Sequence, residues 1–386
     1  MRPDLDELRD RVHRELVVAD PASVADPVRV RAAIRAAVPL MPDAEVELVT
    51  TRVLDRTRGL GPLAPLLADP EVTEVMVNGP GRPVWVERRG RLERTGVVLD
   101  EPTIDLVVER IVAPLGRRVD RTAPLVDARL ADGSRVNVVV RPLAVDGACL
   151  TIRRFGTRTR RLAEICAPPV AALLAWAVRA GQNVVVSGGT GAGKTTLLNA
   201  LAAELPPAER IVTVEDAAEL RLPGDHVVRL EARPATADGL GAVTIRELVR
   251  NSLRMRPDRI VVGEVRGPEA LEMVQAMNTG HEGSLTTCHA NSPLDALRRL
   301  ETMVLSSDVD LPIQAVRDHL AASVDLVVQI ARLGGGGRGV TAVGEVAGGP
   351  TGLGVELLAD GRRVHRLPGR AARRPGAPDP DPGWLS

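Results

Sequence analysis

Asn183-Val184-Val185-Val186-Ser187, followed by Gly188-Gly189-Thr190-Gly191-Ala192-Gly193-Lys194-Thr195-Thr196, stands at the centre of this chain. The short apolar run predicts a buried strand, the glycines a loop, and Thr195 to Glu204 a helix. Strand, glycine loop and helix in that order make a P-loop, whose backbone N–H groups curl around phosphate oxygens at a helix N-terminus. Gly188, Gly189, Thr190, Gly191, Ala192, Gly193, Lys194, Thr195 and Thr196 are therefore the candidate nucleotide cradle. Lys194 is expected to reach the β- and γ-phosphates, and the Thr195 hydroxyl to reach Mg²⁺.

Composition supports this independently of the motif. Lys and Arg total 50, and Lys194 is the single lysine; a lysine placed at random among those positions lands there about one time in fifty. A phosphate loop needs a compact ammonium on a flexible stem, for which a planar guanidinium is a poor substitute. Everywhere else this chain uses arginine.

Outward from the loop, helices and strands alternate. Val170 to Ala180 reads as a helix, and Ile211 to Val214, Val227 to Leu230 and Arg259 to Val262 as strands. This is the rhythm of an α/β domain with a parallel sheet and crossover helices, expected over residues 162–330. Upstream, Leu5, Leu8, Val12 and Leu16 fall at helical spacing and open a helical segment over residues 1–58. Between them, residues 59–155 alternate like strands at 72–78, 84–87, 135–140 and 150–152, with a helix at 104–113. That predicts a smaller α+β domain, joined by a linker over 156–161. Beyond Ile330 come four glycines at 334–337, a possible hairpin, and a Pro- and Arg-rich tail from about Arg370 expected to be disordered.

Hydrolysis needs a group that orients water and a way to hold the metal. In open α/β sheets ligands sit at the carboxyl ends of strands, and two predicted strands end in acids. Ile211-Val212-Thr213-Val214 runs into Glu215-Asp216, with Glu219 further on, and Ile260-Val261-Val262-Gly263 runs into Glu264. Glu264 is the candidate for polarising water and contacting the metal. Glu215 and Asp216 are expected in the metal shell, with Glu219 nearby. His281 and His289 flank Ser284-Leu285-Thr286-Thr287, a segment that reads as a strand carrying His289 towards the γ-phosphate; their spacing fits no zinc pattern.

In order, GGTGAGKTT, TVEDAAEL, RPDRIVVGEVRG and TGHEGSLTTCHAN resemble the Walker A, Asp box, Walker B and His box of the type II and type IV secretion ATPases. Leu60-Gly61-Pro62-Leu63, Val75-Met76-Val77-Asn78-Gly79, Asp127-Ala128-Arg129-Leu130, residues 132–137 and residues 150–155 resemble the TadA/CpaF branch, the motor of Flp/Tad pilus assembly. The resemblance spans roughly residues 55 to 330. It implies a RecA-like P-loop ATPase domain preceded by the smaller α+β domain, with ATP and Mg²⁺ as cofactors and a homohexameric ring. It further implies arginines at the end of the N-terminal domain that complete the site, by position Arg135, Arg153 and Arg154. His281 is carried over as a nucleotide contact and His289 as a catalytic residue. The implied partners are inner-membrane platform proteins, and the implied place is the cytoplasmic face of that membrane. The same chemistry also serves conjugative and other type IV secretion or DNA-uptake systems.

Several classes are disfavoured. The three cysteines, Cys149, Cys166 and Cys288, form no CxxC pair, so no zinc is expected. Only 1% of residues are aromatic, too few to line a base-stacking channel, which speaks against a nucleic-acid motor. No signal-peptide pattern opens the chain and no apolar run reaches membrane-spanning length. The Asn-Lys-x-Asp signature of a GTPase needs a second lysine.

Overall fold

The computed structural model describes residues 5–19, 26–58, 60–130, 132–154, 160–233, 241–334, 337–349 and 352–385. The chain divides into two compact units, Met1–Gly156 and Thr157–Ser386. Most of the predicted linker, including the glycine at 156, lies outside the described residues, as do two of the four glycines at 334–337.

The first unit opens with helices α1 (Leu5–Ala19), α2 (Pro27–Ala37) and α3 (Asp43–Arg58). They pack around Leu8, Val12, Val30, Ile34, Val49 and Val53, all essentially buried. A short helix, α4 (Ala64–Ala68), leads to strands β1 (Val72–Asn78), β2 (Pro83–Arg88) and β3 (Arg91–Val98), helix α5 (Glu101–Val112), and strands β4 (Leu125–Arg129), β5 (Arg135–Val139) and β6 (Cys149–Arg153). The six strands form one sheet in the order β3-β2-β1-β6-β5-β4. All its pairings are antiparallel. Its covered face and α5 share a core that includes Val75, Val86, Ile104, Val107, Ile111, Val138 and Ile152. Asp100 caps α5 by accepting from the Thr103 N–H at 3.0 Å, which satisfies an orphan donor of the first turn.

The second unit is an eight-stranded sheet. After α6 (Pro168–Arg179) come β7 (Val184–Gly188), α7 (Lys194–Ala202), β8 (Ile211–Glu215), β9 (Val227–Glu231), α8 (Ile245–Ser252), β10 (Arg259–Val262), α9 (Glu269–Asn278), β11 (Leu285–His289), α10 (Pro293–Leu305), α11 (Ile313–Ser323), β12 (Leu326–Arg332), β13 (Arg338–Gly349) and β14 (Gly352–Asp360). The order is β14-β13-β12-β7-β11-β10-β8-β9. From β12 to β9 every pairing is parallel, and β7, β8 and β10 are buried along their whole length. Helices on both faces explain why these strands read as continuous apolar runs. The topology matters for the site: β7 lies between β11 and β12, so the loop it feeds is flanked by the ends of both.

Two expectations for the C-terminal region change. The sheet does not end at Ile330, because β13 and β14 extend it as an antiparallel hairpin. The Pro- and Arg-rich tail is ordered against the sheet through 385. Buried Asp325, 1% exposed, accepts from Arg370 at 2.8 Å, from Arg373 at 2.7 Å, and from the Asn183 N–H at 2.8 Å. Glu345, also buried, accepts from Arg366 at 2.7 Å and the Arg370 N–H at 2.8 Å. The Trp176 indole donates to the Pro378 carbonyl at 2.7 Å and its ring lies 6.1 Å from that of Trp384. Arginines that suggest a solvated tail in sequence are here the partners of buried carboxylates.

Candidate functional site

The loop between β7 and α7 is shaped by its glycines. Gly191 and Gly193 have φ of +66° and +100°, left-handed backbone that side-chain-bearing residues resist. No side chain caps α7, so its first N–H groups are left for an anion. The Lys194 side chain is largely buried and its Nζ donates to the Gly189 carbonyl at 3.2 Å. The same ammonium lies 3.1 Å from His289 Nε2 and 3.3 Å from Nδ1.

His289 ends β11, which is in register with β7 so that His289 stands opposite Gly188. Its Nε2 is 2.8 Å from Glu264 Oε1. Burial lowers the imidazole pKa, and Lys194 and Arg266 push in the same direction against Glu264. A neutral ring follows, whose unprotonated nitrogen can accept from the Lys194 ammonium. Glu264 follows β10 and receives the Arg266 guanidinium at 2.8 Å, while Arg266 also reaches Asp216 at 3.3 Å. Lys194, His289, Glu264, Arg266 and Asp216 thus form one chain of charged and polar groups across the carboxyl ends of β7, β11, β10 and β8.

Glu215 is buried and bound to its own loop. Its carboxylate accepts from the backbone N–H of Glu219 at 2.9 Å and of Leu220 at 2.9 Å. Burial raises its pKa to about 7, outweighing those hydrogen bonds. Expected in the metal shell, Glu215 here pins the loop that carries Asp216 and Glu219. Gly263 makes room for it, since a Cβ there would lie 2.9 Å from Glu215 Cγ. Thr195 at the start of α7, and Glu264 and Asp216 joined through Arg266 at the strand ends, supply hard oxygen donors. Such a set fits Mg²⁺, which takes one or two protein oxygens and completes its shell with phosphate and water.

His281 is not brought to this site. It precedes β11, near the amino ends of the strands, where its carbonyl accepts from Ser284 Oγ at 2.7 Å. The neighbouring Gly283 and Ser284 N–H groups are bound by Asn183, at the start of β7. Closeness in sequence to His289 hid the length of the strand between them.

In the first unit, Arg135 and Arg153 are cross-strand partners on β5 and β6, with Arg129 beyond Arg135 on β4 and Glu74 beyond Arg153 on β1. Arg153 Nε lies 3.8 Å from the Glu74 carboxylate, which offsets the like-charge contact with Arg135. Arg154 is committed elsewhere, donating to the Val72 carbonyl at 2.9 Å and to that of Asp69. Two residues missed in sequence also sit at the phosphate loop: Arg332 donates to the Gly191 carbonyl at 3.2 Å, and Gln329 accepts from Ser187, the residue before the loop. For Gln329 the signal was a lone amide inside the apolar run 326–330.

Residues 56–336 match the family model described as type II/IV secretion system protein. The chain belongs to that family. It is therefore a P-loop NTP hydrolase of the secretion type, and its fold, an α+β domain before a RecA-like ATPase domain, is that of secretion ATPases. It is similar to the putative conjugal transfer protein Rv3659c of Mycobacterium tuberculosis, 42% identical over 306 residues, covering 76% of this chain and 86% of that one. Against the type IV secretion system protein PtlH of Bordetella pertussis, identity is 36% over 310 residues, covering 71% and 90%. Among solved structures, the ATPase DotB of Yersinia pseudotuberculosis superposes with a TM-score of 0.55 at 18% identity, over 72% of this chain and 76% of that one; this likeness concerns the fold. No described helix is long and apolar enough to cross a membrane.

Proposed function

We propose that this chain hydrolyses ATP to drive a type IV secretion or conjugal-transfer machine, working as a homohexameric ring at the cytoplasmic face of the membrane with membrane-embedded partners. The observation that carries the chemistry is the run from Lys194 through His289 to Glu264 and Arg266. Secretion and conjugal-transfer relatives that share most of their length with this chain support the choice of machine.

In this proposal the glycine-loop N–H groups and Lys194 bind the phosphates, Lys194 leaving the Gly189 carbonyl for the incoming oxygens. Glu264 accepts a proton from the attacking water, as a carboxylate held in place by Arg266 and His289. Thr195 and Glu264 would hold Mg²⁺, which when bound neutralises phosphate charge. Asp216 and Glu219 line the approach. Arg135 and Arg153 are the candidates from the first unit to stabilise charge on the transferring phosphoryl; Arg154, with its guanidinium occupied, is the weaker one.

The residues at 60–63, 75–79, 127–137 and 150–155 favour a second reading, a motor of Flp/Tad pilus assembly. A chromosomal Lys194→Ala strain separates the two. Loss of DNA or protein transfer with surface filaments intact supports the first, and loss of filaments with transfer intact supports the second. A strain unaffected in both contradicts both.

A further inference from the structure

Beside the phosphate loop, β12 leaves its regular ladder. It pairs with β7 from Leu326 opposite Val184 to Gln329 opposite Ser187. On its other side the register with β13 slips between Gln329, which faces Ala342, and Ile330, which faces Val340. Thr341 is the extra residue of this bulge, and its hydroxyl donates to the Gln329 carbonyl at 3.4 Å. Bulges next to active sites re-aim side chains. Past the slip, the Ile330 carbonyl lies 2.5 Å from where a Cβ on Gly188 would stand, so the root of the phosphate loop seats directly on β12.

The side chains re-aimed here are polar. Gln329 is buried. Its Nε2 donates to the Ala290 carbonyl at 3.3 Å, and its Oε1 accepts from the Ser187 hydroxyl. A carbonyl only accepts, so the amide has one usable orientation. Ser187 immediately precedes Gly188, and Ala290 immediately follows His289. One side chain therefore ties the root of the phosphate loop to the strand end that carries His289. Three residues on, the Arg332 Nε bond to the Gly191 carbonyl holds the crest of the loop, and a Cβ on Gly191 would lie 2.4 Å from Arg332 Nη2.

We propose that Gln329 and Arg332 are positioning residues of the nucleotide site, Gln329 setting the spacing between the phosphate loop and His289 for hydrolysis, and Arg332 setting the shape of the loop for nucleotide binding. This rests on the assignment of Lys194, His289 and Glu264 as the reacting centre. Single neutral hydrogen bonds contribute little net stability, whereas a displacement of about 1 Å at a reacting centre costs roughly a hundredfold in rate. The effect of Gln329 therefore belongs in turnover more than in folding.

The test uses the full-length protein, with steady-state ATP hydrolysis, binding of a fluorescent ADP analogue, and thermal midpoints measured side by side. Gln329→Leu is expected to lower kcat by about tenfold or more with ADP affinity nearly unchanged. Ser187→Ala lowers it less, and the double variant is no worse than Gln329→Leu alone, because both break one link. Arg332→Ala is expected to raise KM several-fold at near-constant kcat, with Arg332→Lys recovering most of the loss. Wild-type kcat in folded Gln329→Leu, additive losses in the double variant, or no change in KM for Arg332→Ala overturns the proposal. If Gln329→Leu does not fold, Ser187→Ala decides: unchanged kcat overturns it. A wild-type chain that does not hydrolyse ATP would instead contradict the assignment of the site.

Discussion

Replacing Glu215 by glutamine removes a charge from the interior while keeping the shape of the side chain. The carboxyl has a folded-state pKa of about 7 against an ordinary value of 4.5, with burial as the main cause. Between those two pH values the folded chain keeps a proton that the unfolded chain gives up. Stability from this group is therefore fully present below pH 4.5 and is lost as the pH rises to about 7. A difference of about 2.5 units, at about 1.4 kcal/mol per unit, amounts to about 3 kcal/mol. Glutamine keeps an acceptor for the Glu219 and Leu220 N–H groups and does not ionise. Urea unfolding of both proteins from pH 4.5 to 8 should show the Glu215→Gln variant gaining on the wild type by about 3 kcal/mol as the pH rises. A difference that does not change with pH, or a variant that loses ground above pH 7, would refute the account of Glu215 as a buried loop anchor.

Asp325→Asn leaves Arg370 and Arg373 without their counter-charge and is expected to cost about 3 kcal/mol, seen as a lowered thermal midpoint and earlier proteolysis of the tail beyond residue 366. Gly263→Ala forces a Cβ against Glu215 and is expected to destabilise by about 1–3 kcal/mol, measured by urea unfolding at neutral pH.

The parts of this protein legible in sequence are those where local signal and tertiary role coincide. The apolar runs at 184–186 and 260–262 read as strands because they are buried on both faces of the sheet, and their terminal glycine and acid mark the end where ligands bind. Lys194 stood out because composition had removed every other lysine. The rest depended on partners distant in the chain. Arg370 and Arg373 read as solvated until Asp325, some 45 residues earlier, is placed beside them. Glu215 and Asp216 are neighbours in sequence, yet one enters the interior and the other meets Arg266. His281 lies before the strand that His289 ends. Gln329 was visible only as a polar interruption of an apolar run, and its meaning came from the strands on either side.

The central claim is that Lys194 binds the nucleotide phosphates and Glu264 activates the water. Phosphate release and nucleotide binding, followed together for wild type, Lys194→Ala and Glu264→Gln, test it most directly. The account predicts that Glu264→Gln binds ATP as tightly as wild type while hydrolysis falls by about a hundredfold or more, and that Lys194→Ala loses both binding and turnover. Wild-type hydrolysis by either variant would contradict it.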